Sequence, residues 1–239
     1  SALESLPEGW RALALSAASA ETEPQLLAQL ARSLGLDLDL ERPTPVLWRE
    51  LEDEMAARLE VGERVLLAVD DADLMDDDAL GALRKTGTAT VLVTHDPAEA
   101  MLMADRIACL VDGRIVQLGT PEDLWRHPAH PFVSLSLTGA QLISGTAMDG
   151  QVATAFGTIN SSPPVSGEVI VSVRQSDATI IPGEQAVISD VRFGAGGNIA
   201  SLRSGNDRLL IETDRTDLTT GMHVGVEFDT SSLKIFPAK

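Results

Sequence analysis

The fold is constrained most by two short, continuous apolar runs, each of which ends abruptly in polar side chains. Residues 65–69 are VLLAV and are followed by Asp70 and Asp71, while residues 91–93 are VLV and lead directly to a polar stretch that contains His95. Continuous apolar runs of this length predict strands buried on both faces, as in a parallel sheet. Because α/β folds place working residues at the carboxyl ends of parallel strands, we expect a functional site at these two strand ends.

Helical patterns alternate with the apolar runs. Leucines recur at helical spacing in the longer patterns. Strand, helix and strand in alternation predict an α/β domain with parallel pairing over residues 1–138. A further strand is expected at residues 10–15 and a hairpin turn at Asp112 and Gly113. Helices are predicted over residues 22–34, 46–59, 78–84, 97–104 and 132–137, with the end of an earlier one at residues 3–6.

The hydrophobic pattern of the sequence changes near Gly139. Beyond this residue there is no long helical pattern, and short alternating runs are separated by turn residues such as Asp149 with Gly150 and Pro182 with Gly183. Such spacing predicts an all-β module, a small barrel or sandwich, over residues 139–239.

Composition excludes some classes of partner. The chain has 36 acidic and 18 basic residues, a formal charge of −18, which argues against nucleic acid or anionic lipid as the main partner. Its one cysteine, Cys109, lies in an apolar run and is expected to be a small buried hydrophobe. No apolar run approaches the roughly 20 residues of a membrane helix, and no signal peptide is apparent, so a soluble cytoplasmic protein is the default expectation.

The acidic end of the first run has two interpretations. In nucleotide-hydrolysing P-loop proteins a carboxylate at this point holds Mg²⁺ through water, and the next residue, usually glutamate, polarises the attacking water. On that interpretation Asp70 is the metal carboxylate and Asp71 stands at the catalytic position. The alternative is an acidic loop at a strand end, with residues 76–78 capping the helix that follows.

Two motifs expected of a complete nucleotide site are absent from the sequence. There is no GxxxxGK[ST] phosphate-binding loop and no LSGGQ-type signature, and none of the three lysines, Lys85, Lys234 and Lys239, lies at a glycine-rich strand-to-helix turn. Whether the chain hydrolyses ATP is therefore left open by the sequence. A fragment that lacks an N-terminal phosphate-loop segment would reconcile the absence with the strand-end residues.

A series of short motifs begins near residue 90. They are Thr94-His95-Asp96, Ala98-Glu99-Ala100, Ala104-Asp105-Arg106-Ile107, Asp112-Gly113-Arg114-Ile115, Gly119-Thr120-Pro121-Glu122 and Pro131-Phe132-Val133. With these motifs the chain resembles ATP-binding subunits of ABC importers for ferric iron, polyamine, sulfate or molybdate. In that family the histidine contacts the γ-phosphate, a role the resemblance assigns to His95. The part from Gly139 onward resembles the accessory TOBE domain, an OB-like barrel, and Val173 with Arg174 fits the strand that opens its second half.

The first third of the chain resembles AAA-type P-loop ATPases just after their phosphate loop, on residues 7–10, 32–36 and 65–79. The importer resemblance implies ATP and Mg²⁺ as cofactors, with Asp71 and His95 as catalytic residues and Asp70 as the metal residue. It also implies a second nucleotide-binding subunit and membrane permeases as partners, and a cytoplasmic position at the inner face of the membrane. The competing hypothesis is a non-hydrolysing interaction module, or one that binds a small oxyanion, in which the α/β part is only structural.

Overall fold

The computed structural model describes residues 6–161, 164–194 and 197–238. The chain divides into two compact units, Ser1–Ala104 and Asp105–Lys239, here called the first and second unit. The helix end expected at residues 3–6 lies almost wholly outside the described residues. The predicted domain boundary between residues 138 and 139 follows composition rather than contacts, and it stays a prediction.

The first unit is built on a parallel sheet of three strands in the order β1-β2-β3. Two of its helices have capped starts: Thr22 forms a capping box with Gln25, and the carboxylate of Asp76, in the run predicted to cap, accepts a hydrogen bond from Ala79 N at 2.8 Å. The elements are β1 (Trp10–Ser16), α1 (Glu23–Leu34), α2 (Thr44–Glu60), β2 (Arg64–Asp70), α3 (Asp77–Lys85), β3 (Ala89–Leu92) and α4 (Pro97–Met103).

One face of this sheet is covered and the other is open. Alternate residues of a strand point to opposite faces, and Val65, Leu67 and Val69 of β2 are buried in one core with apolar residues of α1, α2 and α3. The intervening Leu66 and Ala68 are only partly buried. The prediction that residues 65–69 are buried on both faces is therefore wrong for this unit.

The same correction applies to β3. Val91, which pairs with Ala68, is 51% exposed, and Val93 just beyond the strand is 50% exposed. A short apolar run has the same sequence pattern whether one face or both faces of the strand are buried. The pattern alone therefore cannot distinguish these two arrangements.

The described residues of the second unit form two short helices, a hairpin and two antiparallel sheets, in the orders β12-β11-β10-β13 and β14-β9-β6-β7-β8. The hairpin joins β4 to β5 through Asp112 and Gly113, whose φ values of 48° and 72° fit the predicted turn. The elements are β4 (Ile107–Val111), β5 (Arg114–Gly119), α5 (Pro121–Arg126), α6 (Pro131–Thr138), β6 (Gln141–Met148), β7 (Gln151–Thr154), β8 (Gly157–Asn160), β9 (Gly167–Val173), β10 (Ala178–Gly194), β11 (Gly197–Ser204), β12 (Asp207–Thr213), β13 (His223–Phe228) and β14 (Lys234–Pro237).

The two antiparallel sheets share one apolar core. Val171 of β9 and Ile188 of β10 belong to the same buried cluster, so the inner faces of the sheets pack together. The side chain of Gln141 links the sheets at one side, because its amide donates to Leu210 O at 2.8 Å and its carbonyl accepts from Leu210 N at 2.7 Å. The coarse prediction of a parallel α/β part followed by antiparallel β structure is confirmed, whereas the assignments to P-loop and OB-like types remain proposals.

Two smaller predictions concern burial and membrane contact. Cys109 is buried, as expected, and its burial raises the pKa of the thiol. Within the described residues no helix has both the length and the apolar character needed to cross a membrane.

Candidate functional site

The carboxyl ends of β2 and β3 lie side by side. Val69 pairs with Leu92 in the parallel register, and the pairing continues past the strands because Val93 N donates to Val69 O at 2.8 Å. The loop after β2 then returns to β3, where Ala72 N donates to Val93 O at 2.8 Å. The segments that carry Asp70 and His95 are thereby held next to each other at one edge of the sheet.

Asp73 ties the two loops together. Its carboxylate accepts a hydrogen bond from the backbone N–H of His95 at 3.2 Å and lies 3.5 Å from the hydroxyl of Thr94. A residue three positions after the end of β2 thus fixes the backbone of a residue 22 positions later. Sequence reasoning missed this role, because Asp73 stood in an acidic run that was interpreted only for capping and metal binding.

The start of α4 fixes the other side of His95. Asp96 caps the helix by accepting from Ala98 N at 2.7 Å and from Glu99 N at 3.3 Å. Thr94 donates its hydroxyl proton to the carboxylate of Glu99 at 2.7 Å and accepts from Asp96 N at 3.0 Å. The His95 backbone is therefore held from both sides by hydrogen bonds.

Asp71 adopts a left-handed conformation with a φ of 55°, which is uncommon for a residue other than glycine and is best tolerated by Asn and Asp. Its backbone N–H donates to the carboxylate of Asp70 at 3.2 Å. Residues held in such conformations concentrate at functional sites.

The three predicted site residues share one property, an exposed side chain. Asp70, Asp71 and His95 are all exposed. Among the described residues, neither the Asp71 carboxylate nor the His95 imidazole has a hydrogen-bond partner, and the Asp70 carboxylate accepts only the bond from Asp71 N. These groups are consequently free to meet a ligand at the sheet edge.

The chemistry of this edge suits a magnesium ion better than a whole nucleotide. Carboxylate oxygens are the ligands that Mg²⁺ prefers, usually with several waters retained, and Asp70 and Asp71 provide them. No cluster of three or more His, Cys, Asp or Glu side chains that could hold a metal occurs in the described part of the chain. Neither lysine nor arginine contacts these carboxylates among the described residues, so the α- and β-phosphates of a nucleotide need further donors.

Known proteins similar to this chain are ATP-binding subunits of ABC importers. A sulfate/thiosulfate import ATP-binding protein of Xanthomonas campestris pv. campestris is 37% identical over 133 residues, which cover 52% of this chain and 39% of that protein. An Fe(3+) ions import ATP-binding protein of Streptomyces coelicolor is 31% identical over 160 residues, 63% of this chain and 45% of that protein.

A longer match is to a sulfate/thiosulfate import ATP-binding protein of Mesorhizobium japonicum, 28% identical over 220 residues, which cover 79% of this chain and 63% of that protein. The chain spans about half the length of the curated relatives it matches. No protein-family model matches the chain. The predicted similarity to ABC-importer ATP-binding subunits is confirmed, while the AAA-type resemblance of the first third stays a prediction.

Proposed function

We propose that this chain is part of the ATP-binding, energy-coupling subunit of an ABC importer. The observation that carries the proposal is the juxtaposition of the ends of β2 and β3, which brings the acidic pair and His95 to one sheet edge. The similarity to import ATP-binding proteins over half or more of the chain supports the same reading.

The strand-end residues have distinct roles in this proposal. Asp70 would hold Mg²⁺ through water, Asp71 would orient the attacking water, and His95 would contact the γ-phosphate. Asp73 acts as a positioning residue, because it holds the backbone of His95 through the 3.2 Å hydrogen bond. When bound, Mg²⁺ neutralises charge that develops on the transferred phosphoryl group.

The remainder of a complete ATP site has to come from elsewhere. The sequence contains no phosphate-binding loop, and the described strand ends present carboxylates instead of cations. We propose that residues outside these 239 provide the donors for the α- and β-phosphates, and that a second nucleotide-binding subunit closes the site.

The solute class and the partner subunits are inferred from the similar import proteins. Relatives are named as importers of sulfate or thiosulfate and of Fe(3+) ions, so a small inorganic ion is the favoured solute class, with polyamine as the other class that the sequence suggested. Permease subunits would hold the protein at the cytoplasmic face of the membrane. The antiparallel sheets of the second unit would form the TOBE-type, OB-like accessory domain.

Calorimetric titration with Mg-ATP tests the site. Because the donors for the α- and β-phosphates lie outside these residues, we expect weak binding, with a dissociation constant on the order of 1 mM, and about tenfold weaker binding for His95→Ala, since a hydrogen bond to a charged phosphate contributes roughly 1.5–3 kcal/mol. The exposed His223→Ala serves as the matched control and should bind like the unmodified chain. The assignment would be overturned by a dissociation constant of several millimolar or more for the unmodified chain, or by an unchanged dissociation constant in His95→Ala.

A further inference from the structure

A cavity of the first unit lies where the three helices α1, α2 and α3 meet. It is bounded by residue 23 of α1, residues 44–52 of α2 and residues 82–85 of α3, and is here called the three-helix pocket. Its volume of about 500 Å³ falls within the roughly 300–1,000 Å³ that is usual for ligand pockets. The apolar part of its lining consists of Trp48, Pro45 and the buried Ala82.

The charged side chains of the three-helix pocket are of both signs. Glu23 and Glu52 supply two carboxylates, and Arg49 and Lys85 supply two cations. Among the described residues none of these four has an ion-pair partner within 4.0 Å, although Arg58 of the same helix α2 is paired at 2.7 Å. Two positive and two negative groups therefore face one cavity without direct pairing to each other.

The indole of Trp48 is fixed in this cavity. Its Nε1 donates to Glu23 Oε1 at 2.6 Å, a partly buried hydrogen bond from α2 to α1, and its ring packs against the apolar core of the first unit. The other carboxylate oxygen of Glu23 has no hydrogen-bond partner among the described residues. An aromatic surface fixed in advance loses less conformational entropy when a ligand packs on it.

The balance of charges in the three-helix pocket selects the kind of ligand. An anion would meet two carboxylates in a chain of formal charge −18, and a cation would meet Arg49 and Lys85. A zwitterion matches both signs, because its ammonium group has three donors for carboxylate oxygens and its carboxylate accepts from guanidinium and ammonium groups. An apolar side chain on the same molecule would remove the surface of Trp48 and Ala82 from water.

We propose that the three-helix pocket binds a free amino acid with an apolar side chain. Glu52 and the unpaired oxygen of Glu23 accept from the ammonium group. Arg49 and Lys85 donate to the carboxylate, and the apolar side chain packs on Trp48. The proposal uses none of the strand-end residues, so it goes beyond the ATP site and can be tested separately from it.

A titration with L-leucine, followed through the indole N–H resonance of Trp48, tests the proposal. The resonance is assigned by its loss in Trp48→Phe. We expect a saturable shift with a dissociation constant on the order of 1 mM. Glycine, which lacks the apolar side chain, should bind about tenfold more weakly or worse. N-acetyl-leucine and leucine amide each lack one of the two charges and should also bind about tenfold more weakly than leucine.

Two variants remove the partners of the two charges separately. Glu52→Gln should weaken L-leucine binding about tenfold without weakening N-acetyl-leucine further, because acetylation has already removed the ammonium group. Arg49→Gln should likewise weaken L-leucine without weakening leucine amide further. Asp53→Asn changes an exposed carboxylate of the same helix outside the pocket and should leave the affinity for L-leucine unchanged.

Four results would overturn the proposal. The first two are an unmoved Trp48 resonance at about ten times the expected dissociation constant of L-leucine, and glycine binding as tight as that of leucine. The other two are an equal loss of affinity in Asp53→Asn and Glu52→Gln, and an equal loss for leucine and N-acetyl-leucine in Glu52→Gln. Circular dichroism checks that each variant is folded, and a folded Glu52→Gln protein with unchanged affinity for leucine would contradict the assignment of the ammonium partner.

Discussion

The main apolar clusters of the two units are of similar size but are enclosed differently. In the second unit two antiparallel sheets shield each other's inner faces, and Gln141 links them at the side. In the first unit three helices cover one face of the parallel sheet, while Val91 and Leu66 on the other face keep contact with solvent. Parallel sheets are found almost only with both faces covered. The face that carries Leu66 and Val91 is therefore a surface of the kind that other structural elements normally cover.

The largest effect is expected in the closed core of the second unit. Phe156 is fully buried in the shared cluster, and Phe156→Ala should lower the free energy of unfolding by about 3–5 kcal/mol, because it leaves a large cavity. Phe193→Ala is the matched control, since Phe193 is 88% exposed and its removal should change stability by less than about 0.5 kcal/mol. Urea unfolding measures the stability of both variants. Similar losses of unfolding free energy in Phe156→Ala and Phe193→Ala would contradict the description of this core.

The next test compares the two faces of β2. Leu67 is fully buried, and Leu67→Ala should cost about 2–5 kcal/mol of unfolding free energy. Its neighbour Leu66 points to the open face, so Leu66→Ala should cost about 1 kcal/mol or less. If both substitutions lower the free energy of unfolding by the same amount, the face that carries Leu66 is covered in solution. The contrast between the two units would then be wrong.

Local signals in the sequence predicted most of the elements. The helix predicted from residue 22, the capping run at residues 76–78 and the turn at Asp112 and Gly113 all fit the structure, because each signal acts through its immediate neighbours. The strand β10 was not predicted as one piece. Pro182 and the following glycine were read as a break, but an irregularity in the pairing with β13 absorbs them.

Features that depend on distant residues were not predictable from the same signals. The open face of the sheet is a property of what packs on it, and the tie from Asp73 joins a carboxylate to a backbone amide 22 residues away. For the site, the strand-end pattern indicated Asp70, Asp71 and His95, whereas the residue that holds His95 in position emerged only from the geometry. The cavity beside Arg174 likewise assembles residues from positions 125–127, 174 and 231–234.

A smaller effect is expected at the tie between the strand ends. Asp73→Ala removes the acceptor of His95 N and should cost about 0.5–1.5 kcal/mol, while the amide resonance of His95 shifts and its hydrogen exchange becomes faster. Asp53→Ala changes an exposed carboxylate of α2 and should leave that resonance in place. An unchanged His95 amide in Asp73→Ala would show that the tie does not hold the site.

The smallest effect is a pH dependence in the second unit. Arg215 donates hydrogen bonds to Asp217, which lowers the pKa of Asp217. A carboxyl group with a lowered folded-state pKa stabilises the fold above about pH 4, and this contribution is lost as the pH falls through the folded-state value. Asp217→Asn should therefore flatten the fall in melting temperature below about pH 4, whereas the exposed Asp207→Asn should not.

The central claim is that His95 faces the γ-phosphate of a nucleotide at the shared edge of β2 and β3. Imidazole resonances of His95, assigned by comparison with His95→Ala, test it directly when Mg-ATP and Mg-ADP are titrated in parallel. We predict a saturable shift with Mg-ATP and little or none with Mg-ADP, because only ATP carries the γ-phosphate. Equal shifts with both nucleotides, or no shift with either, would contradict the claim.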